Sequence, residues 1–170
     1  MTMKRLLFSC LSLLFVLSGC AGITTQFVSL QEPQSGDRAR LRVIANHLVK
    51  AVPGKDCIDW SAPGAGTVFG GIVGSKGFRG RSLDMPAGLN QADRNSTAEM
   101  YVAANQPFTL VLLTTLEAPV QCSVAVSFTP EADRDYEAVA RLTRAVCSIS
   151  VTQIGEGSAP VSVEKADRCK

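Results

Sequence analysis

At 170 residues the chain fits a single domain, and its 17 Lys and Arg against 15 Asp and Glu leave a net charge of only +2. That balance excludes the basic excess on which nucleic-acid affinity rests. The length allows a real core, since domains cluster near about 100 to 150 residues.

In chain order, Met1-Thr2-Met3-Lys4-Arg5 gives a basic start, and the apolar run Leu6 to Ser18 follows without an acidic residue. These are the n-region and h-region of a secretory signal. Ser9, Ser12 and Ser18 interrupt the run before Gly19, so it is a poor permanent span, which needs about 20 apolar residues. The next residues, Leu17-Ser18-Gly19-Cys20, resemble the lipobox of bacterial lipoproteins at every position. The resemblance implies diacylglyceryl on the Cys20 sulfur, cleavage after Gly19 and acylation of the freed amine. Several acyl chains, at about 0.8 kcal/mol per buried methylene, make a durable membrane anchor. Ala21 stands where the inner-membrane retention signal of that class commonly has Asp, which in a Gram-negative host implies the outer membrane, with the domain facing the periplasm. Cleavage would remove Lys4 and Arg5 and leave a neutral remainder.

The organisation expected is therefore a signal peptide over 1–19, a lipidated tether over 20–36 and a folded domain over 37–170. The tether is polar and turn-rich, with Pro33, Gln34, Ser35 and Gly36. Its apolar residues Ile23, Phe27, Val28 and Leu30 leave room for a short docked strand. From there the pattern alternates with a period near two, the mark of half-buried strands. Arg38, Arg40 and Arg42 alternate with Ala39, Leu41 and Val43, and Asn46-His47 reads as a hairpin turn into Leu48 to Val52. Ala98 to Ala103 and Phe108 to Thr115 read as a second pair. The Phe108–Leu113 run is apolar on both faces and so is expected to be central. Val120 to Phe128, Asp135 to Leu142 and Cys147 to Thr152 read as three consecutive antiparallel strands. No segment sustains a helical period, and the fold class expected is all-β, an antiparallel sandwich of about seven strands.

Six cysteines are present. Cys10 lies in the signal and Cys20 in the lipobox, which leaves Cys57, Cys122, Cys147 and Cys169. An even number in an exported domain reads as two disulfides. No pair has zinc-knuckle spacing, so no metal site is expected. In a three-stranded meander Cys122 and Cys147 would flank the same middle strand about 10 Å apart, whereas a disulfide needs Cα atoms within about 7 Å. The expected pairing is thus Cys57 with Cys122 and Cys147 with Cys169, or the crossed alternative.

Motifs for chemistry are sparse. Neither Gly-x-Ser-x-Gly nor His-Glu-x-x-His occurs, and the glycine-rich stretch Gly64 to Arg81 matches neither nucleotide-loop spacing, so no cofactor is expected. That stretch reads as a strand and a soluble loop tip; a sharper reading makes Lys76, Arg79 and Arg81 an anion contact for an envelope polymer or lipid headgroup. His47 is the sole histidine and sits in a turn. Asp56 and Asp59 flank Cys57 and precede Trp60, the one tryptophan, which reads as packing beside a disulfide. Asn95-Ser96-Thr97 reads as a surface loop.

The body, roughly 37–154, is similar to a group of uncharacterised small bacterial lipoproteins. The phrases that carry the likeness are Val52-Pro53-Gly54-Lys55-Asp56-Cys57-Ile58-Asp59-Trp60, Tyr101-Val102-Ala103-Ala104 and Phe128-Thr129-Pro130-Glu131-Ala132-Asp133-Arg134-Asp135-Tyr136-Glu137. This resemblance implies location and fold and supplies no site residues. The functional expectation is a non-enzymatic binding or structural module, held at a membrane through Cys20 and meeting another envelope protein or polymer. The alternative is a small enzyme or inhibitor whose site gathers Asp56, Asp59 and His47.

Overall fold

The structure, a computed structural model, describes residues 28–71, 77–114, 118, 120–144 and 146–170. The described chain is all-β, with one 3-10 turn at Arg94–Ser96. Ten strands run in chain order: β1 (Arg38–Ala45), β2 (Leu48–Pro53), β3 (Gly66–Phe69), β4 (Thr97–Ala103), β5 (Phe108–Leu113), β6 (Ser123–Phe128), β7 (Asp135–Thr143), β8 (Val146–Ile154), β9 (Ala159–Pro160) and β10 (Glu164–Lys165). They form two five-stranded sheets, β4-β1-β7-β8-β9 and β10-β6-β5-β2-β3. Every pairing is antiparallel except that of β1 with β7.

The strands follow the alternation of the sequence. Ala39, Leu41 and Val43 of β1 enter the core with Ala98, Met100 and Val102 of β4 and Ala138 and Ala140 of β7, while Leu110, Leu112, Val126 and Phe128 meet them from the other sheet. β5 lies in the middle of its sheet and is buried on both faces, as its doubly apolar run requires. Its outward residue Val111 joins Ala125 and Ala166, with Ile58, Trp60 and Leu113, in a second, smaller cluster outside the sandwich.

The expected strand pairings are corrected. β1 and β2 are not a hairpin, because the turn at Asn46-His47 carries the chain from one sheet to the other. Asn46 shows why: its side-chain amide donates to the Leu142 carbonyl at 2.9 Å and its amide oxygen accepts from the Leu142 N–H at 3.1 Å. The side chain extends the ladder with β7 while the backbone departs. β4 and β5 likewise belong to different sheets, and so do β6 and β7. The crossing between β6 and β7 is fixed at its base, where the Tyr136 hydroxyl accepts the Glu131 N–H at 2.9 Å. A tyrosine near a strand start that bonds back to the preceding corner is a recurrent device of Greek-key sandwiches.

That crossing also corrects the disulfide map. Cys122, just before β6, and Cys147, on β8, are in different layers and meet with Cα atoms 6.4 Å apart, bonded to each other. The meander that would have kept them apart does not form. Cys57 is bonded to Cys169, Cα to Cα 5.1 Å, so the C-terminal segment is tied over the outer cluster and not to the strand nearest in sequence. Ile58 N–H donates to the Asp167 carbonyl and Cys169 N–H returns to the Ile58 carbonyl.

The two open sides of the sandwich are closed by chain that crosses between sheets. On one side β9 and β10 lie at the sheet edges with the 161–163 segment between them. On the other, two segments run from β3 to β4. In the first, Leu30 N–H donates to the Thr67 carbonyl and Thr67 N–H to the Val28 carbonyl, and two residues later Glu32 Oε1 accepts the Tyr101 N–H at 2.7 Å. In the second, Phe78 N–H donates to the Val68 carbonyl and Gly80 N–H to the Thr97 carbonyl. Leu30 is 4% exposed and belongs to the main core. The folded unit thus reaches back to Val28, through a short docked segment of the kind for which the tether's apolar residues leave room. Gly66 is required here: a Cβ would fall within 2.6 Å of the Ser29 backbone.

The two bridges close loops of very different size, with sequence separations of 112 and 25 residues. On the chain-entropy model they are worth about 4.8 and about 3.5 kcal/mol. Peptide mapping without reduction is expected to recover Cys57 with Cys169 and Cys122 with Cys147. In denaturant melts the Cys57→Ser/Cys169→Ser double variant is expected to lose more stability than Cys122→Ser/Cys147→Ser.

Candidate functional site

His47, Asp56 and Asp59 do not converge. His47 precedes β2 and both aspartates follow it. At about 3.3 Å per residue, that strand alone separates them by about 17 Å. His47 lines a hollow of about 560 Å³ with Phe69, Arg79 and Asn95. Asp59 lines another of about 460 Å³, with Trp60 and Arg168. Asp59 Oδ1 accepts the Ser61 hydroxyl at 2.6 Å and the Ser61 N–H at 3.0 Å, which holds its carboxyl below the usual range. This is a local turn, in which the carboxylate orders its own backbone. Trp60 packs in the outer cluster, with the Lys50 ammonium 4.3 Å from its ring centroid. Burial pushes the Lys50 pKa down.

Of the proposed anion contacts, Lys76 lies outside the described residues, as does Cys20. Arg79 lies on the second crossing segment and Arg81 follows it. Arg79 Nε donates to the Asn95 carbonyl at 2.6 Å, and its guanidinium lies 5.6 Å from the Phe69 ring centroid. Arg81 Nη1 donates to Glu32 Oε1 at 2.8 Å, which joins the two crossing segments by an ion pair. The Arg81 guanidinium lies 5.5 Å from the Phe78 ring centroid and 5.9 Å from that of Tyr101, and Arg38 lies 4.8 Å from Tyr101 on the same flank.

The densest polar cluster was not singled out by sequence. On the outer face of the first sheet, Arg42 of β1 stands level with Glu99 of β4 and Glu137 of β7. Arg42 Nε donates to Glu99 Oε1 at 2.7 Å, and its Nη1 lies 3.6 Å from Glu137 Oε2. The 81–93 segment folds over this trio. Leu83 N–H donates to Glu99 Oε2, Asn90 donates its backbone and side-chain N–H to Glu137 Oε1, and Arg42 Nη1 donates to the Pro86 carbonyl at 3.0 Å. Gly88 lies against Glu137, where a Cβ would overlap the carboxylate. Glu99 and Glu137 are 5% and 1% exposed. Beside them Arg40 and Asp135 form a two-pronged pair, at 2.6 and 2.8 Å. The arginines were visible as the polar side of an alternating strand. Glu99 and Glu137 carried no signal in the sequence that set them apart from solvated residues on the outward side of a strand.

Chemically this arrangement is a lock. The guanidinium is spent on the Glu99 carboxylate and on carbonyls of the covering segment, Glu99 Oε2 and Glu137 Oε1 accept from that segment's Leu83 and Asn90, and Glu137 Oε2 is buried with no hydrogen bond, facing Arg42 Nη1 at 3.6 Å. Among the described residues no three His, Cys, Asp or Glu side chains gather as metal ligands. No protein-family model matches the chain, and no curated protein or solved structure is detectably similar to it.

Removal of one partner from a buried charge pair costs about 3 to 5 kcal/mol, because the others are left uncompensated. Arg42→Met is expected to lose stability of that order in urea melts and to speed proteolysis within 81–93.

Proposed function

We propose that the chain is a lipid-anchored protein of the cell envelope, acylated at Cys20, that acts as a non-enzymatic binding or structural module. The observation that carries this reading is the pairing of all four cysteines beyond residue 20, Cys57 with Cys169 and Cys122 with Cys147. Such bridges persist in oxidising compartments. They leave outside the two bridges Cys10, within the signal-like leader, and Cys20, at its end. The distance between His47 and the aspartates supports a binding role over catalysis, because no acid–base set is assembled from the residues the sequence offered. Ala21 favours the outer membrane, with the sandwich facing the periplasm and meeting another envelope protein or polymer.

Mass spectrometry of the protein purified from membranes tests the anchor. The expected spectrum is that of a chain beginning at Cys20 with acyl mass on that residue, and Cys20→Ala is expected to remain an unacylated precursor. A free Cys20 thiol within a longer chain, or a mature chain that begins elsewhere, would contradict the reading.

A further inference from the structure

We infer that the Cys57–Cys169 bridge is a redox catch: its reduction by a dithiol releases the 166–170 strap and uncovers the apolar outer face of the sheet that contains β5 and β6. The inference stands apart from the anchor at Cys20.

The strap is thin. Beyond β10, among the described residues, three backbone hydrogen bonds hold it: Ala166 N–H to the Ala125 carbonyl, Ile58 N–H to the Asp167 carbonyl and Cys169 N–H to the Ile58 carbonyl. Its one buried side chain is Ala166, while Asp167, Arg168 and Lys170 are exposed. The Asp167 carboxylate pairs with Lys165 of β10 and adds no hold on the sheet. Ordering the backbone of five residues costs more than so few net hydrogen bonds return. The disulfide therefore decides whether the strap stays closed. Beneath it lie Val111 and Ala125, with Ile58, Trp60 and Leu113 packed around them. The sheet itself does not need the strap, because β5 is paired with β2 on one side and with β6 on the other. Release is thus a local opening on an intact sandwich.

The two bridges differ in what stands behind them. Cys147 packs against the main core, and its strand β8 is paired with β7 from Val146 to Ile154. Parting it from Cys122 leaves that ladder in place. Cys57 lies between β2 and β3, outside any strand, and Cys169 lines the hollow of about 460 Å³ beside Asp59, Trp60 and Arg168. That hollow admits a thiolate to the Cys169 sulfur. The thiolate of the dithiol bonds to Cys169 Sγ, the bond to Cys57 breaks, and Cys57 leaves with the electron pair and takes a proton from water. The second thiol of the reductant then attacks its partner sulfur in the mixed disulfide, which frees Cys169 and closes the reductant's own disulfide. Two electrons and two protons pass from the dithiol to the bridge.

The test is timed reduction of the full chain, purified with both bridges formed, by dithiothreitol without denaturant. Iodoacetamide traps the thiols for site-by-site mass spectrometry, and acrylamide quenching reads Trp60, the one tryptophan. Cys57 and Cys169 are expected to be alkylated several-fold sooner than Cys122 and Cys147. Quenching of Trp60 is expected to rise several-fold as they open and to fall again on reoxidation, while the amides of β5 stay protected from hydrogen exchange. Equal rates for the two bridges, or earlier opening of Cys122–Cys147, would overturn the inference. So would an open Cys57–Cys169 bridge with Trp60 as shielded as before, the mark of a passive staple, or loss of β5 protection, the mark of global unfolding.

Discussion

The structure depends on how the sides of the sandwich are closed. Each of its two sheets ends in strands whose outer N–H and C=O groups have no ladder partner, and such edges invite association with other chains. In this molecule the β3–β4 side is closed by two crossing segments. One of them is the N-terminal chain itself, which inserts Leu30 between the layers and spends Glu32 on the β4 backbone. The Glu32–Arg81 pair then joins the two crossings. The described N-terminal segment from Val28 to Glu32 is thus part of the fold.

The outer faces are managed with equal care. One is covered by the 81–93 segment, pinned on Arg42, Glu99 and Glu137; the other by the C-terminal segment, tied down by Cys57–Cys169 over Trp60. The two covers use opposite means. The charge trio holds the covering segment by directional hydrogen bonds, from Leu83 to Glu99, from Asn90 to Glu137 and from Arg42 to the Pro86 carbonyl. A disulfide over a small apolar cluster constrains the unfolded chain, whatever the neighbouring side chains do.

Much of this was legible in the sequence. Period-two alternation located the strands and the inward faces, and the doubly apolar run placed β5 in the middle of a sheet. The cysteine count gave two bridges. Strand neighbours were not legible, because alternation reports which residues face inward and says nothing of which strand lies alongside. The short turns at Asn46-His47 and Asn105-Gln106-Pro107 carry hairpin signals, yet both cross between sheets. The first does so because the Asn46 side chain continues pairing with β7. The disulfide pairing failed for the same reason, since it was argued from a meander. The burial of Glu99 and Glu137 was not legible, because alternation reports the outward face of a strand and says nothing of the 81–93 segment that folds over it.

The central claim, that the N-terminal segment is a structural member closing the sandwich, is tested most directly by urea unfolding of Leu30→Ala. A fully buried leucine cut to alanine costs about 2 to 5 kcal/mol, and a loss within that range, with the cooperativity of the transition preserved, is the result expected. A change below about 0.5 kcal/mol, the size of an ordinary surface substitution, would show that the segment merely rests on the domain and would contradict the account.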